Sequence, residues 1–486
     1  MTEKENELYR DRIKKLELLK AEGVEPYPAA SGRTHTIAQV LRIFDTLTKK
    51  GGKVILTGRL RALRGHGKLT FGNLEDESGI IQFVVKADEV TAKQAKIFSL
   101  FDVGDLLQIE GPTFITKKGE RTILVKDVVL LTKSLRALPE KYHGLKDTEM
   151  RLRKRYLDML ANPEVRKLIR KKSLFWQSMR NFLQKKGFLE VETPVLESIP
   201  GGAEARPFIT HHNALDRDFF LRISLELPLK RLLVGGFEKI FEIGRIFRNE
   251  GIDTEHLQDY TQMEFYWAYE NFDNLRKFVQ EMYQHVIKET FGTLKTTYQG
   301  AELDWGGEWE VNDFYDLMIK YTGVQPGDPR EKIEEATKKF GIDKDLKGVI
   351  NPGRRWDIIY SKLIRPNLIK PQFMIRTPVE MEPLAKRDPS DNRRVLRLQV
   401  IAAGTELGKG FSELNDPLDQ KARFEEQMDL RKRGDKEAQI LDEDFVEALE
   451  YGMPPSVGFG LSERLFAVLM GKSVREAVIF PPMKEE

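Results

Sequence analysis

Phe241-Glu242-Ile243-Gly244-Arg245-Ile246-Phe247-Arg248-Asn249-Glu250, a polar loop over 251–259, and then Tyr260-Thr261-Gln262-Met263-Glu264-Phe265-Tyr266 decide how this chain is read. Both runs alternate with the period of a strand, and the short loop between them makes the pair an antiparallel hairpin. Alternation puts Arg248 and Glu250 on one face of the first strand, and Gln262, Glu264 and Tyr266 on one face of the second. A sheet face carrying a guanidinium, carboxylates and a phenol is poor core, because buried charges without partners are costly. Either a ligand satisfies these groups or the face is solvated and salt-bridged. Spacing leaves both open.

Outward from the hairpin, Asn162-Pro163 opens a long helix that Gly187 closes. Beyond Gly187 strands and helices mix without a βαβ rhythm, so an antiparallel α+β domain is expected. Residues 290–370 show no readable chemistry. On the N-terminal side, Leu8, Ile13, Leu16 and Leu19 recur at helical spacing, which predicts a helix over residues 3–22. Five short apolar runs with glycine-rich turns follow between Val54 and Thr132 and suit a small barrel of the OB type. Barrels of this type bind single-stranded nucleic acid by stacking bases on exposed aromatics in a basic groove. Phe71, among Arg59, Arg64 and Lys68, is the stacking candidate, although the pattern alone favours a core phenylalanine. The expected organisation is a helical extension over 1–50, the barrel over 51–133, a linker over 134–150 and the α+β domain over 151–486.

Composition limits the chemistry. Cysteine is absent from the 486 residues, which excludes disulfides, thiolate metal sites and cysteine nucleophiles. Any metal must bind oxygen or imidazole. No run approaches the roughly 18 apolar residues that span a bilayer, and the charged start of the chain lacks the apolar segment of a secretion signal. A cytoplasmic location without membrane contact is expected. The net charge of +3 names no partner, and the mildly basic N-terminal third is compatible with a polyanion or with ordinary solvated surface.

Phe247-Arg248-Asn249-Glu250 resembles the F-R-x-E core of motif 2 in class II aminoacyl-tRNA synthetases. The stretch from Ile199-Pro200-Gly201-Gly202 to Arg206-Pro207-Phe208, with Thr210-His211-His212-Asn213, is similar to the region after motif 1 in the lysyl-tRNA synthetases of that class. Gly410-Phe411-Ser412-Glu413-Leu414-Asn415-Asp416 and Tyr451-Gly452-Met453-Pro454-Pro455 are similar too, as is the linker Leu138-Pro139-Glu140-Lys141-Tyr142-His143-Gly144. The resemblance runs from the barrel to the last helix. It implies activation of L-lysine by ATP with Mg2+, transfer to tRNA(Lys), and a homodimer formed through motif 1 around Phe188-Leu189-Glu190-Val191-Glu192-Thr193-Pro194. By resemblance, the catalytic arginines are Arg248 and Arg464. Arg248 would hold the α-phosphate and the substrate carboxylate, a bidentate task that suits a guanidinium. Glu250 would accept from the adenine amino group, Tyr260 and Arg464 would enclose the ring, and His256 would reach the terminal phosphates. Glu264 and Glu413 would flank the ε-ammonium with Tyr266 beside them; Glu226 and the Gly202 backbone would hold the α-amino group; Phe411 would pack on the alkyl stem. Two carboxylates around one cation discriminate, because an uncharged side chain leaves them unpaired. In the barrel, Phe71, Gln82 and Glu120 fall where the family reads a U-rich anticodon, with Arg59 and Arg64 as the basic surroundings.

The sequence departs from the family at three places. Lys409 stands between two glycines where the family usually has asparagine, and alternation aligns it with the lysine-binding Phe411 and Glu413 unless a glycine bulge breaks the register. Gln399 replaces the second magnesium carboxylate, seven residues before the retained Glu406. Together these shift the local charge by two units, so Lys409 is expected to take over part of a magnesium ion's electrostatic role, or else Gln399 coordinates through its carbonyl oxygen. Motif 3, Gly458-Phe459-Gly460-Leu461-Ser462-Glu463-Arg464, is one residue short. Protein-lysylating relatives lack the barrel, aspartyl and asparaginyl enzymes need a different pocket, and a non-catalytic RNA-binding relative would require these departures to abolish activation.

Overall fold

The computed structural model describes residues 3–139, 147–251 and 257–484. His256, and most of the linker stretch quoted above (140–146), lie outside the described residues. The chain divides into two compact units, Met1–Arg151 with Tyr156–Ala161, and Leu152–Arg155 with Asn162–Glu486.

The first unit is built on a six-stranded barrel. Lys53–His66 pairs antiparallel with Leu69–Asp76, which pairs with Gly79–Lys86. Arg121–Leu124 joins in parallel to Gly79–Lys86, and Leu106–Ile115 closes the barrel by pairing with the first strand. Asp127–Thr132 is a sixth strand that the apolar runs did not separate from the fifth, since only Val125-Lys126 lies between them. Alternation sends Val54, Leu56, Leu74, Ile81, Phe83 and Ile123 inward. The N-terminal helices Glu3–Ala21, Ile37–Arg42 and Phe44–Lys50 add Leu19, Ile37, Val40 and Phe44 to the same core.

The second unit carries an eight-stranded sheet. Its order is Glu310–Asp313, Gln372–Ile375, Arg397–Ala402, Thr405–Ser412, Ser456–Ser462, Asp259–Ala268, Lys239–Phe247 and Leu189–Glu190. The two short edge strands run parallel to their neighbours and the other pairings are antiparallel. Helices Pro163–Lys185 and Phe272–Phe291 cover one face, where Phe175, Phe182, Met282 and Tyr283 pack on Met263, Phe265 and Phe459. The period of two then turns Gln262, Glu264 and Tyr266 to the opposite face. The first hairpin strand ends at Phe247, shorter than its alternation suggested, although the ladder continues for one bond from Arg248 N to Gln258 O at 2.8 Å.

Phe265 is fully buried, with ring centroids of Phe188, Phe278 and Phe459 at 5.3, 5.2 and 5.9 Å. Replacing it with alanine should destabilise this unit by about 3–5 kcal/mol, read as a lower urea midpoint for its unfolding.

Candidate active site

The uncovered sheet face floors a cavity of about 580 Å³, within the range of small-ligand sites. Three carboxylates from three elements stand at one end. Glu264, on the hairpin's second strand, is 4% exposed; Glu226 opens the helix Glu226–Val234 and is also 4% exposed; Glu413, just past Thr405–Ser412, is 2% exposed. Glu264 is held by neutral donors: Ser224 Oγ at 3.0 Å and Leu225 N at 3.1 Å on one oxygen, Tyr266 OH at 2.9 Å on the other. Glu226 and Glu413 share one cation, the fully buried Lys230, at 2.7 and 2.5 Å. The Phe411 ring lies 5.2 Å from that ammonium. Burial pushes Glu226 up to about 7 and Glu413 well above the usual carboxylate range, and it keeps Tyr266 protonated.

Two glycines make this end possible. A β-carbon at Gly458 would lie 2.3 Å from Glu413 Oε1 and 2.6 Å from the Tyr266 ring. Gly202 has φ +81° and brings its backbone against Ser224 and Glu226, whose Cβ atoms would each lie 3.0 Å from an added Cβ. Only glycine adopts that conformation without strain.

The other end is rich in cations. Half-buried Arg248 donates from Nε to Ile223 O at 3.3 Å, and its guanidinium lies 5.8 Å from the Tyr260 ring centroid. Glu250 follows it on the cavity wall. Arg464 starts the helix Arg464–Leu469 and reaches Glu406 O at 3.5 Å. Its neighbour Glu463 is 1% exposed, accepts from Thr261 N at 3.1 Å and pairs with Lys172, so the shortened motif 3 is anchored to the hairpin. Lys409 lines the cavity and pairs with Glu382 at 3.0 Å; Arg397 contacts the same carboxylate at 3.4 Å. Burial opposes the charge on Lys409, but Glu382, Glu406 and Glu226 together hold the ammonium's pKa above its ordinary value. The Gln399 amide donates to Glu406, and its buried Oε1 accepts no hydrogen bond.

Every cavity residue expected from the sequence and lying in the described part is therefore found on one wall or another, with Gln399 just beneath. Several groups were not expected from the sequence. Lys230 follows Glu226 at the i,i+4 spacing of a helical ion pair, which could have drawn attention to it. Glu382 and Arg397 meet Lys409 from distant segments, and Arg354 and Asp357 line the cavity from within the stretch that showed no chemistry. Arg354 contacts Glu204 at 3.5 Å and Asp435 at 3.1 Å. Burial beside Glu406 raises the Asp357 carboxyl.

On the barrel, Phe71 is half-buried and takes no part in the core cluster. It faces Arg64 across the first pairing, while Gln82 faces Asn73 across the second, so all share the outer face. Arg59 also faces outward, opposite Glu75, but its Nη1 donates to Gly104 O at 2.7 Å. Gln82 donates to Thr122 Oγ1 at 2.8 Å, and Glu120 is exposed just before the fifth strand.

Residues 147–484 match the family model of tRNA synthetases class II (D, K and N), and residues 54–131 match an OB-fold nucleic acid binding domain. A lysine-tRNA ligase of Moorella thermoacetica is 44% identical, covering 99% of each chain. One from Pelotomaculum thermopropionicum is 43% identical over 99% of this chain and 95% of its own, and one from Carboxydothermus hydrogenoformans is 42% identical over 99% and 98%. This chain belongs to the class II tRNA synthetases of the aspartate, lysine and asparagine group and, within it, to the lysine-tRNA ligase family.

Proposed function

We propose that the protein activates L-lysine and loads it onto tRNA(Lys). The substrate carboxylate attacks the α-phosphorus of ATP, the bond to the β-phosphate oxygen breaks, and pyrophosphate leaves. The terminal ribose hydroxyl of the tRNA then attacks the lysyl carbonyl and AMP leaves. The observation that carries this reading is a cavity with three buried carboxylates at one end, contacted among the described residues by the one cation Lys230, and arginines at the other. A diamino acid satisfies the first end. A triphosphate satisfies the second.

In this reading Glu264, Glu413 and Tyr266 receive the ε-ammonium, Glu226 and the Gly202 backbone receive the α-ammonium, and Phe411 flanks the stem. Arg248 grips the carboxylate and the α-phosphate, positioning them for in-line attack and stabilising the charge that develops between them. Tyr260 and Arg464 enclose the adenine, and Glu250 accepts from its amino group. Lys409 adds a cation near the carboxylate. Its pairing with Glu382 offsets part of the charge by which Lys409 and Gln399 depart from the family, so it is not a spare cation replacing a metal.

Among the described residues, no three Asp, Glu or His side chains form a metal-binding group. The single carboxylate of Glu406, with the unpartnered Gln399 amide oxygen behind it, fits a magnesium ion held mainly by substrate phosphates. Such an ion would neutralise part of the triphosphate charge. Exposed Leu189, Val195 and Leu196 around motif 1 support a homodimer. No helix among the described residues is long and apolar enough to cross a membrane, which accords with a cytoplasmic enzyme. The outer face bearing Phe71 and Arg64 supports anticodon binding by the barrel. It also argues against a protein-lysylating enzyme, which would not need a barrel.

Of the twenty amino acids, lysine alone should stimulate ATP–pyrophosphate exchange. Stimulation by aspartate or asparagine, or by none, would sink the proposal. Arg248→Ala should abolish exchange, whereas Phe71→Ala should leave it intact and raise the KM for tRNA in charging; a collapse of exchange in Phe71→Ala would refute its assignment to tRNA. Gly458→Ala should raise the KM for lysine by about a hundredfold or more while the circular dichroism spectrum is kept, because the added methyl displaces Glu413.

A further inference from the structure

The amine end of the cavity holds more negative charge than the protein balances. Glu226, Glu264 and Glu413 are all buried, and Lys230 is the one cation in contact with them among the described residues. Glu264 and Tyr266 face this cation's two partners from the hairpin strand, and Glu382 faces them from beyond the turn Val379–Met381. Lys409 lies toward Glu226 from the strand Thr405–Ser412, but its ammonium is bound to Glu382. Three carboxylates against one ammonium leave a deficit of two positive charges, and lysine carries two ammonium groups.

We infer that Lys230 is a positioning residue that sets this deficit, and that the empty pocket offsets part of it with a proton shared by Glu226 and Glu413, which lysine displaces on binding. The inference rests on the proposed placement of the two substrate ammonium groups at Glu226, Glu264 and Glu413.

The geometry leaves few alternatives. Glu226 and Glu413 both approach Lys230 within 2.7 Å, so two buried like charges meet at one counter-charge. Such a pair keeps a proton unless further cations arrive. The raised carboxyls of Glu226 and Glu413 agree with this. The sign follows from linkage. A group protonated in the free pocket and ionised in the complex releases its proton on binding, so lysine binds more tightly as pH rises, by up to about tenfold per unit. The gain ends once the free pocket is itself ionised. An amino acid with an uncharged side chain supplies one ammonium and leaves a carboxyl that must stay protonated, so charge count adds to shape in excluding it.

The test is calorimetric titration of the full-length protein with L-lysine near pH 7, in buffers of differing ionisation enthalpy. About one proton should be released per lysine bound, and affinity should rise from about pH 6 to about pH 8. An observed enthalpy independent of buffer would overturn the inference. Lys230→Arg, which keeps the charge, should keep the proton count. Lys230→Met should bind lysine more weakly, because two substrate ammonium groups then face three carboxylates and one carboxyl keeps its proton in the complex. Should Lys230→Met fail to fold, Glu413→Gln carries the test, with lower affinity and release falling toward zero. If Glu413→Gln instead binds lysine like the parent, the placement of the substrate at Glu413 is wrong. If its affinity falls while its proton count matches the parent's, the placement stands and the proton exchange does not.

Discussion

Burying Glu226, Glu264 and Glu413 within reach of one another is the constraint from which the rest of the catalytic unit follows. Isolated buried carboxylates are among the most expensive groups a fold can contain. Two devices hold them. Glu264 collects neutral donors, including a main-chain amide, while Glu226 and Glu413 are held from behind by Lys230. The three arrive from a helix start, a central strand and a strand end, and only a stiff antiparallel sheet keeps such origins in register. Packing of two long helices on the opposite face supplies that stiffness, with Phe265 and Phe459 locked in an aromatic cluster. Gly458 has no side chain because Glu413 and Tyr266 occupy the space beside it.

Much of this was legible in the residues, for physical reasons that also explain what was not. Period-two alternation placed Gln262, Glu264 and Tyr266 on one face correctly, because the packed helices require Met263 and Phe265 on the other. Strand ends were less legible: Arg248 to Glu250 continue the alternation of 241–247, yet the ladder stops where the hairpin loop diverges. The sixth barrel strand was hidden because two residues make its turn. Phe71 could not be assigned to core or surface from spacing, since the pattern does not say which side of a barrel strand faces inward; the buried Gly72 and Leu74 settle that. Roles within the cavity came from family resemblance. Ion pairs across distant segments, such as Lys409 with Glu382 and Arg354 with Asp435, have no local period and leave no trace in a sequence read alone.

The phosphate end follows another rule. In the proposed reading the cations there face a ligand that is itself highly charged, and Lys409 keeps over a third of its side chain exposed while bound to Glu382. Lysine in place of asparagine at this position adds a charge that Glu382 offsets only in part, since Arg397 contacts the same carboxylate.

In the proposed placement of lysine, charge discriminates more strongly than cavity shape. A cavity of about 580 Å³ is large for one amino acid, because it must also admit a nucleotide, and shape alone discriminates weakly at such a size. A methylene more or less is worth only about 1–3 kcal/mol. An ammonium missing from the amine end leaves a buried carboxylate with no counter-charge, which costs more than a lost contact. Since Lys230 supplies one positive charge to three acids, the demand that remains is for two charges of one sign. Lysine satisfies that requirement, and neither aspartate nor asparagine can.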